Sequence, residues 1–400
     1  MKKTLSLFII IFIFGCAKTY TKKQQKILCQ TPLRHFNKGN FQKALNSSKE
    51  VLSIDSNNSC AYFIQGLSRY FKTIHNLTLK FFELSRNFRI FSGIPYKKIF
   101  ALIESTEKNL NLVYKDLKKA SNNQDINIPF TPGYWKVDWN NNGKIERRET
   151  ELFDVEYDLQ KNRIKRGSRL RKPTWHLDVG DIHWAMAMIS FQRTIMNFVL
   201  SYQWPNITEI FLMMRGKKLA IPIRSKDRYL SMKKHLLRGV NNTLMAQKYY
   251  LSETDDKGEW IPNPNQKKYY IPLVMDKKVY QNWKNILIDI KNLVLGKEGL
   301  PVNQIGSLSN VSVFSKARGF INFGKLLENP KTIVINPRNI RTSQGPKARQ
   351  EAFLSEVFGV FYVKNMTPSK IVKHLLQVKN DFLASPNMFR DKLKYVMWLN

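Results

Sequence analysis

Asp178-Val179-Gly180-Asp181-Ile182-His183-Trp184-Ala185-Met186-Ala187-Met188-Ile189-Ser190-Phe191-Gln192-Arg193-Thr194-Ile195-Met196-Asn197-Phe198-Val199-Leu200-Ser201-Tyr202 is the stretch from which the fold is read. Wound at 3.6 residues per turn, Ala185 to Ile189, Phe191, Ile195, Met196 and Phe198 to Leu200 place apolar side chains on nearly every side. A helix apolar all round belongs inside a core. The spacing therefore predicts a central buried helix over about 182–202 and a mainly α fold around it. The helix start is acidic: Asp178 and Asp181 are suited to cap exposed amides at the positive end of the helix dipole. The same residues with His176 and His183 also make a possible acid/base or cation group. Capping is the plainer reading, and Asp178, Asp181 and His183 stand as a secondary polar site.

Helical spacing continues on both sides. Downstream, Met232–Ser252, Val279–Leu295, Lys347–Lys364, Pro368–Asp381 and Pro386–Trp398 read as helices, with Trp283, Ile286, Leu287, Ile290 and Leu293 on one buried side of the second. Gly319–Pro330 and Thr332–Pro337 carry short extended or turn signals. Asp255–Pro264 is turn-rich; Asp255, Asp256 and Glu259 are candidates for a cation site, although the segment reads more simply as a structured loop. Arg163–Pro173 carries six bases with no helical pattern and reads as a solvated loop, with lipid headgroups as a sharper alternative.

The strongest chemical signal lies upstream, at Asp138-Trp139-Asn140-Asn141-Asn142-Gly143-Lys144-Ile145-Glu146-Arg147-Arg148-Glu149. Asp138, Asn140 and Asn142 occupy positions 1, 3 and 5 of a twelve-residue calcium loop, and Gly143 supplies its sharp turn. Lys144 would ligate through its carbonyl, Glu146 through a water, and Glu149 as a bidentate carboxylate. Ile145 sits where such a loop sends an apolar residue into the core. Pro129, Pro132 and Gly133 leave little room for an entering helix, so the loop is EF-hand-like rather than a full hand. Its three acids and three bases cancel, so binding on the order of 0.1–1 mM is expected. A short helix is expected to continue over Glu151–Asp158.

At the chain start, Lys2 and Lys3 precede the apolar run Leu5–Phe14 and then Ile13-Phe14-Gly15-Cys16. The run is too short to span a bilayer, which needs roughly 20 residues. These residues resemble a bacterial lipoprotein signal peptide, 1–16, which implies export and diacylation of Cys16. Ala17 follows instead of an acid, so an outer membrane is favoured if the cell has one. The chain carries 66 Lys and Arg against 30 Asp and Glu, a formal +36. In the cytoplasm such a balance would suggest nucleic acid. Export argues against that partner, and a basic surface tethered to an anionic bilayer would be drawn onto it. Cys29 and Cys60 are then the cysteines of the mature chain. In an oxidising compartment they could pair, or they could remain small buried apolar side chains.

Gly39-Asn40-Phe41-Gln42-Lys43-Ala44-Leu45, Asp55-Ser56-Asn57-Asn58, Ala61-Tyr62 and Gly66 follow one another at the offsets of a helix pair. Leu33–Tyr70 resembles a tetratricopeptide-type repeat, with no second repeat legible. Tyr70–Ser85 and Ile99–Ala120 follow as amphipathic helices around a break at Ser92-Gly93-Ile94-Pro95. Residues 17–127 thus read as a helical region able to hold a protein, peptide or small ligand, with scaffold packing the plainer use. Residues 128–400 read as a larger helical module containing the loop 138–149 and a few short strands.

Three features stand in this one chain: the calcium-type loop, the Asp178-x-Gly180-Asp181-Ile182-x-Trp184 segment, and Glu253-Thr254-Asp255-Asp256-Lys257-Gly258-Glu259-Trp260-Ile261-Pro262-Asn263-Pro264. With the chain end Tyr395-Val396-Met397-Trp398-Leu399-Asn400, they resemble a family of uncharacterised exported bacterial lipoproteins from about Pro132 onward. That resemblance implies a co-folded module with a calcium loop and carries no activity with it. No Gly-x-Ser-x-Gly, His-Glu-x-x-His, Cys-x-x-Cys or phosphate-cradling loop occurs. The expectation is therefore a lipid-anchored calcium protein that binds or scaffolds, more a binding protein than an enzyme. Its rival is a calcium-dependent exported hydrolase using Asp178, Asp181 and His183.

Overall fold

The computed structural model describes residues 20–86, 96–158, 162–256, 258–267, 270, 275–304 and 315–383. The signal segment with Cys16, the break at 92–95, and the expected helix over 386–398 with the chain end lie outside the described residues. Within them the fold is mainly helical, as the spacing predicts.

Four helices come first: α1 (Lys22–Phe36), α2 (Phe41–Ile54), α3 (Ser59–Arg86) and α4 (Tyr96–Ala120). Thr21 and Gln24 close a capping box at the start of α1. The Asn58 side chain accepts from the Ala61 amide at 3.0 Å and starts α3, as the Asp-Ser-Asn-Asn run predicts. The separate helix expected from Tyr70 is instead a continuation of α3, which runs unbroken for 28 residues. Nothing stops it, because Gly66 is tolerated where Leu117 of α4 lies within 3.0 Å of the Cβ it lacks. Cys29 and Cys60 form a disulfide with Cα atoms 6.1 Å apart, fastening α1 to the first turn of α3.

The centre is α6 (Val179–Ser201) packed along α8 (Lys226–Ser252), with α4 against the same α6. Contact is closest at Gly239, where a Cβ would sit 2.4 Å from the Phe191 ring. Although α6 is central, it is not apolar on every side. Its buried residues include Ser190, Arg193, Asn197 and Ser201, while Ile195 is 64% exposed. Arg193 and Asn197 meet Glu107 of α4, whereas Ser190 and Ser201 donate to carbonyls of α6 itself. Arg193 Nη2 lies 2.8 Å from Glu107 Oε1, and Arg228 Nη1 lies 2.9 Å from Glu107 Oε2. Burial works to raise the Glu107 pKa, but the two guanidinium groups prevail and hold it below the ordinary carboxylate value.

The strands are short. β1 (Ile128–Phe130) pairs antiparallel with β2 (Trp175–Leu177), placing Phe130 opposite Trp175. β3 (Leu219–Ile221) pairs with β6 (Ile333–Ile335), and β4 (Leu300–Pro301), β5 (Phe320–Ile321) and β7 (Tyr362–Val363) form a three-stranded sheet. Further helices among the described residues are α5 (Arg147–Thr150), α7 (Ile207–Met214), α9 (Lys277–Val294), α10 (Phe323–Glu328), α11 (Pro337–Thr342), α12 (Gly345–Phe358) and α13 (Ile371–Leu383). Two expectations change here. Gly319–Pro330 contains α10, capped where Asn322 accepts from the Lys325 amide, and the helix expected over 347–364 ends at Phe358. Gly359 adopts φ +54°, and Tyr362 and Val363 then pair with β5, which a continued helix would forbid.

One buried cluster runs from Cys29 and Phe36 through Phe63, Leu110 and Trp135 to Trp175 and Ile189. The four N-terminal helices therefore share their core with β1, β2 and α6. Among the described residues no helix is long and apolar enough to cross a membrane.

Candidate functional site

The loop 138–149 is held by its own side-chain oxygens. Asp138 accepts from the Asn142 amide at 3.1 Å and the Gly143 amide at 2.8 Å. Asn140 Oδ1 accepts from Asn142 N at 3.0 Å, and Asn142 Oδ1 from Lys144 N at 2.8 Å. Asn141 at φ 55° and Gly143 at φ +84° carry the left-handed turn. No atom lies within 4 Å of the Cβ that Gly143 lacks, so backbone conformation rather than space calls for glycine there.

Glu149 points inward and is 8% exposed. Its Oε1 accepts from Trp139 N at 2.6 Å and Asn140 N at 3.0 Å, and its Oε2 from Glu146 N at 2.8 Å. Glu146 caps α5 and also accepts from the Asn142 amide group at 3.0 Å. Counting two lone pairs per oxygen, Asp138, Asn140 and Asn142 each keep acceptor capacity on the ligating oxygens, and Glu149 keeps it on Oε2. That donor set suits a hard cation. Coordination through both Glu149 oxygens would displace the Trp139 or Asn140 amide from Oε1.

No helix enters the loop: β1 and a single 3-10 turn, Pro132–Tyr134, precede it, as the prolines imply. Trp139 anchors it, its ring 5.4 Å from His75 of α3 and its carbonyl 3.2 Å from His75 Nε2. Ile145, expected in the core, is 48% exposed. Among the described residues no second such loop lies against it to cover that side chain. The helix expected over 151–158 is also absent. The Val155 amide donates to Arg171 O at 2.8 Å and Tyr157 pairs with Arg163, so this stretch folds back on the basic run. Arg171 is consequently buried, 3.6 Å from Asp154, and the run is not solvated throughout.

The second group lies where α6 begins. Asp178 Oδ1 accepts from Gly180 N at 2.7 Å and Asp181 N at 3.2 Å, and Asp181 Oδ2 accepts from Asp178 N at 3.0 Å. The capping reading of this pair is therefore met in full. His183 does not join them. Two residues along a helix it lies about 200° round from Asp181, and it pairs with Asn242 at 3.0 Å and stacks on Tyr249. His176 bonds Asn127 at 2.8 Å.

Residues missed from sequence complete the group. Glu253, at the end of α8, is hydrogen-bonded to Asp178, and Gln266 Nε2 donates to Glu253 Oε2 at 3.1 Å. Carboxylate oxygens of Glu253, Asp255 and Glu259 all lie within 4.8 Å of one another. Asp256, which the sequence grouped with the last two, instead accepts from the Lys267 amide at 3.0 Å. The acidic run 253–259 was legible; its meeting with Asp178, some seventy residues earlier, was not.

Burial dominates the electrostatics here. It pushes Asp181 well above the ordinary carboxylate value, with the Asp178 charge adding to the effect, and it raises Asp178. Glu253 is pushed up to about 8 by burial and then by Asp178 and Glu259. Among the described residues no Lys or Arg pairs with Asp178, Asp181 or Glu253. A cavity of about 100 Å³ opens above Asp181, lined by Leu67, Tyr70, Trp184, Met188 and Trp260. Such a group can store protons near neutrality, present a general acid to a bound molecule, or release protons to a cation.

In comparisons with known proteins, no family model, no curated protein and no solved structure matches this chain.

Proposed function

We propose that this chain is an exported lipoprotein, held to a membrane through diacylated Cys16, in which calcium has a structural role. Asp138, Asn140, Asn142, the Lys144 carbonyl, Glu146 and Glu149 hold the ion. What carries the reading is the loop's hydrogen-bond pattern. Asp138, Asn140 and Asn142 each fold an amide back on their own side-chain oxygen while keeping a lone pair for a cation. Because Trp139 is wedged against α3 while Glu149 starts α5, an ion there would fasten the N-terminal helices to the module after them. The Cys29–Cys60 bond fits an oxidising compartment. The helix pair around Gly39–Tyr70 is read as a tetratricopeptide-like element presenting a surface to a peptide or protein partner.

The test is a calcium titration of the chain from Ala17 onward, by calorimetry and melting curves, beside Asp138→Ala and Glu149→Gln. Heat of binding near millimolar calcium, with a raised melting temperature that both substitutions abolish, supports the reading. No binding at about 10 mM, above the weakest affinities of such modules, ends it.

One observation favours a second reading, a calcium-dependent exported hydrolase: Asp181, buried with a raised pKa, faces an aromatic-lined cavity. Asp181→Asn separates the two. It leaves partner binding by a scaffold intact and abolishes turnover by an enzyme.

A further inference from the structure

Helix α7 has no buried residue, although six of its eight residues, Ile207, Ile210, Phe211, Leu212, Met213 and Met214, are apolar. Ile207, Ile210, Phe211 and Met214 fall at i, i+3, i+4 and i+7, which is one stripe along a helix. Phe211 is 55% and Met214 61% exposed, while Ile207 and Ile210 are half-buried and Met213 packs toward the core cluster of Tyr202 and Leu219, so the outward part of the stripe is Phe211 and Met214. This is the opposite of what a helix on a protein surface normally does with its apolar side.

The surroundings are cationic. Arg215, Lys217 and Lys218 follow α7 directly and are exposed. Arg341 of α11 reaches across, its Nη2 donating to Met214 O at 3.1 Å. At the other end Tyr96 Oη donates to Pro205 O at 2.6 Å, which brings the exposed Lys97 and Lys98 of α4 to the start of α7. The acid on the helix, Glu209, is engaged in the capping box with Asn206.

We infer that α7, with Arg215, Lys217, Lys218 and Arg341 at its end and Lys97 and Lys98 near its start, forms a face that inserts Phe211 and Met214 into an anionic phospholipid surface. An apolar stripe rimmed by Lys and Arg is what a bilayer interface accepts: the stripe enters the headgroup boundary and the bases meet the phosphates. Each base near such a surface contributes about 1 kcal/mol. A formal charge of +36 over the whole chain adds long-range attraction but does not explain why apolar side chains are exposed at the centre of this patch. The inference needs neither calcium nor the Cys16 anchor, and it says which side of the molecule faces the bilayer.

The chain from Ala17, without lipid, is sedimented with vesicles of phosphatidylcholine and with vesicles of equal parts phosphatidylcholine and phosphatidylglycerol. The expected result is binding to the anionic vesicles, weakened by salt. Phe211→Ser with Met214→Ser should weaken it about tenfold or more, since two apolar side chains leave the bilayer. Because both are exposed, the melting temperature of the double variant should stay unchanged. Lys217→Glu with Lys218→Glu should weaken binding comparably. Undiminished binding by the Phe211/Met214 variant would show that charge alone brings the chain down and would overturn the inference. So would failure of the parent chain to bind, or a change from oligomer to monomer in the Phe211/Met214 variant, which would assign the stripe to a second copy of the chain.

Discussion

Tyr250 Oη donates to Asp181 Oδ1 at 2.9 Å, joining the last turns of α8 to the first turn of α6. The contact is possible because residue 180 is glycine: a Cβ there would lie 2.8 Å from the Tyr250 ring. Tyr250→Phe leaves Asp181 Oδ1 buried without its donor and should cost about 1–3 kcal/mol. Urea unfolding measures it, and an unchanged midpoint would contradict the bond. Gly180→Ala should cost about 1–3 kcal/mol through overpacking against the same ring.

Stability should rise on mild acidification. A carboxyl whose folded pKa lies above its unfolded one binds its proton more tightly when folded. The folded state therefore loses stability as pH rises from the unfolded value of 4.5 toward about 8, the folded value of Glu253. Asp178 and Asp181, also raised, act in the same direction. His235, lowered to about 4 chiefly by burial, acts oppositely below its unfolded 6.5. The clean window is thus from about pH 8.5 down to about 7.5, far enough above the unfolded value of 6.5 that His235 is essentially neutral in both states. The melting temperature should climb across it, and less steeply in Glu253→Gln; parallel curves would remove Glu253 from the effect.

Glu107 answers two guanidinium groups from different helices, Arg193 of α6 and Arg228 of α8. Glu107→Gln leaves Arg193 without its charged partner in a largely buried place and Arg228 with Glu104 alone, 3.1 Å away, and breaking a buried pair costs about 3–5 kcal/mol. Denaturant melts at neutral pH would register the loss. A cost under about 1 kcal/mol would mean that the pair behaves as an exposed one.

In calcium-free buffer, Glu149→Gln should destabilise more than Asp138→Ala. The buried Glu149 carboxylate serves three amides, and one of its oxygens becomes a donor in the variant. The expected cost is about 1–3 kcal/mol. Asp138 serves two amides in an exposed turn where water can replace it. The reverse order would show that the loop lacks this arrangement without the ion.

Reducing Cys29–Cys60 opens a 31-residue separation, and loop-closure entropy puts the loss at about 3–4 kcal/mol. A calorimetric scan with and without reductant tests it, and no shift would mean that α1 stays docked without the bond.

Local chemistry was readable wherever cause and effect lie within a few residues. Asp178 and Asp181 cap the helix they precede, Asn58 starts α3, and the prolines before Asp138 exclude an entering helix. The misreadings are those where a distant partner decides. Arg171 looked solvated and is buried because Asp154 faces it; the stretch after Thr150 looked helical and instead pairs with the basic run; Ile145 looked buried and is about half exposed.

By itself the sequence determined the helical class, the central place of α6, the position and turn chemistry of the loop 138–149, and the capping of α6. These follow from apolar spacing, glycine and proline conformation, and side chains bonding amides two or three residues away. Only the tertiary structure decided that Glu253 joins Asp178 and Asp181, that Glu107 holds two arginines, that Cys29 meets Cys60, and that Phe211 and Met214 of α7 face outward. Burial and charge pairing depend on residues brought together from far along the chain, and periodicity says which face of a helix is apolar without saying what, if anything, covers it.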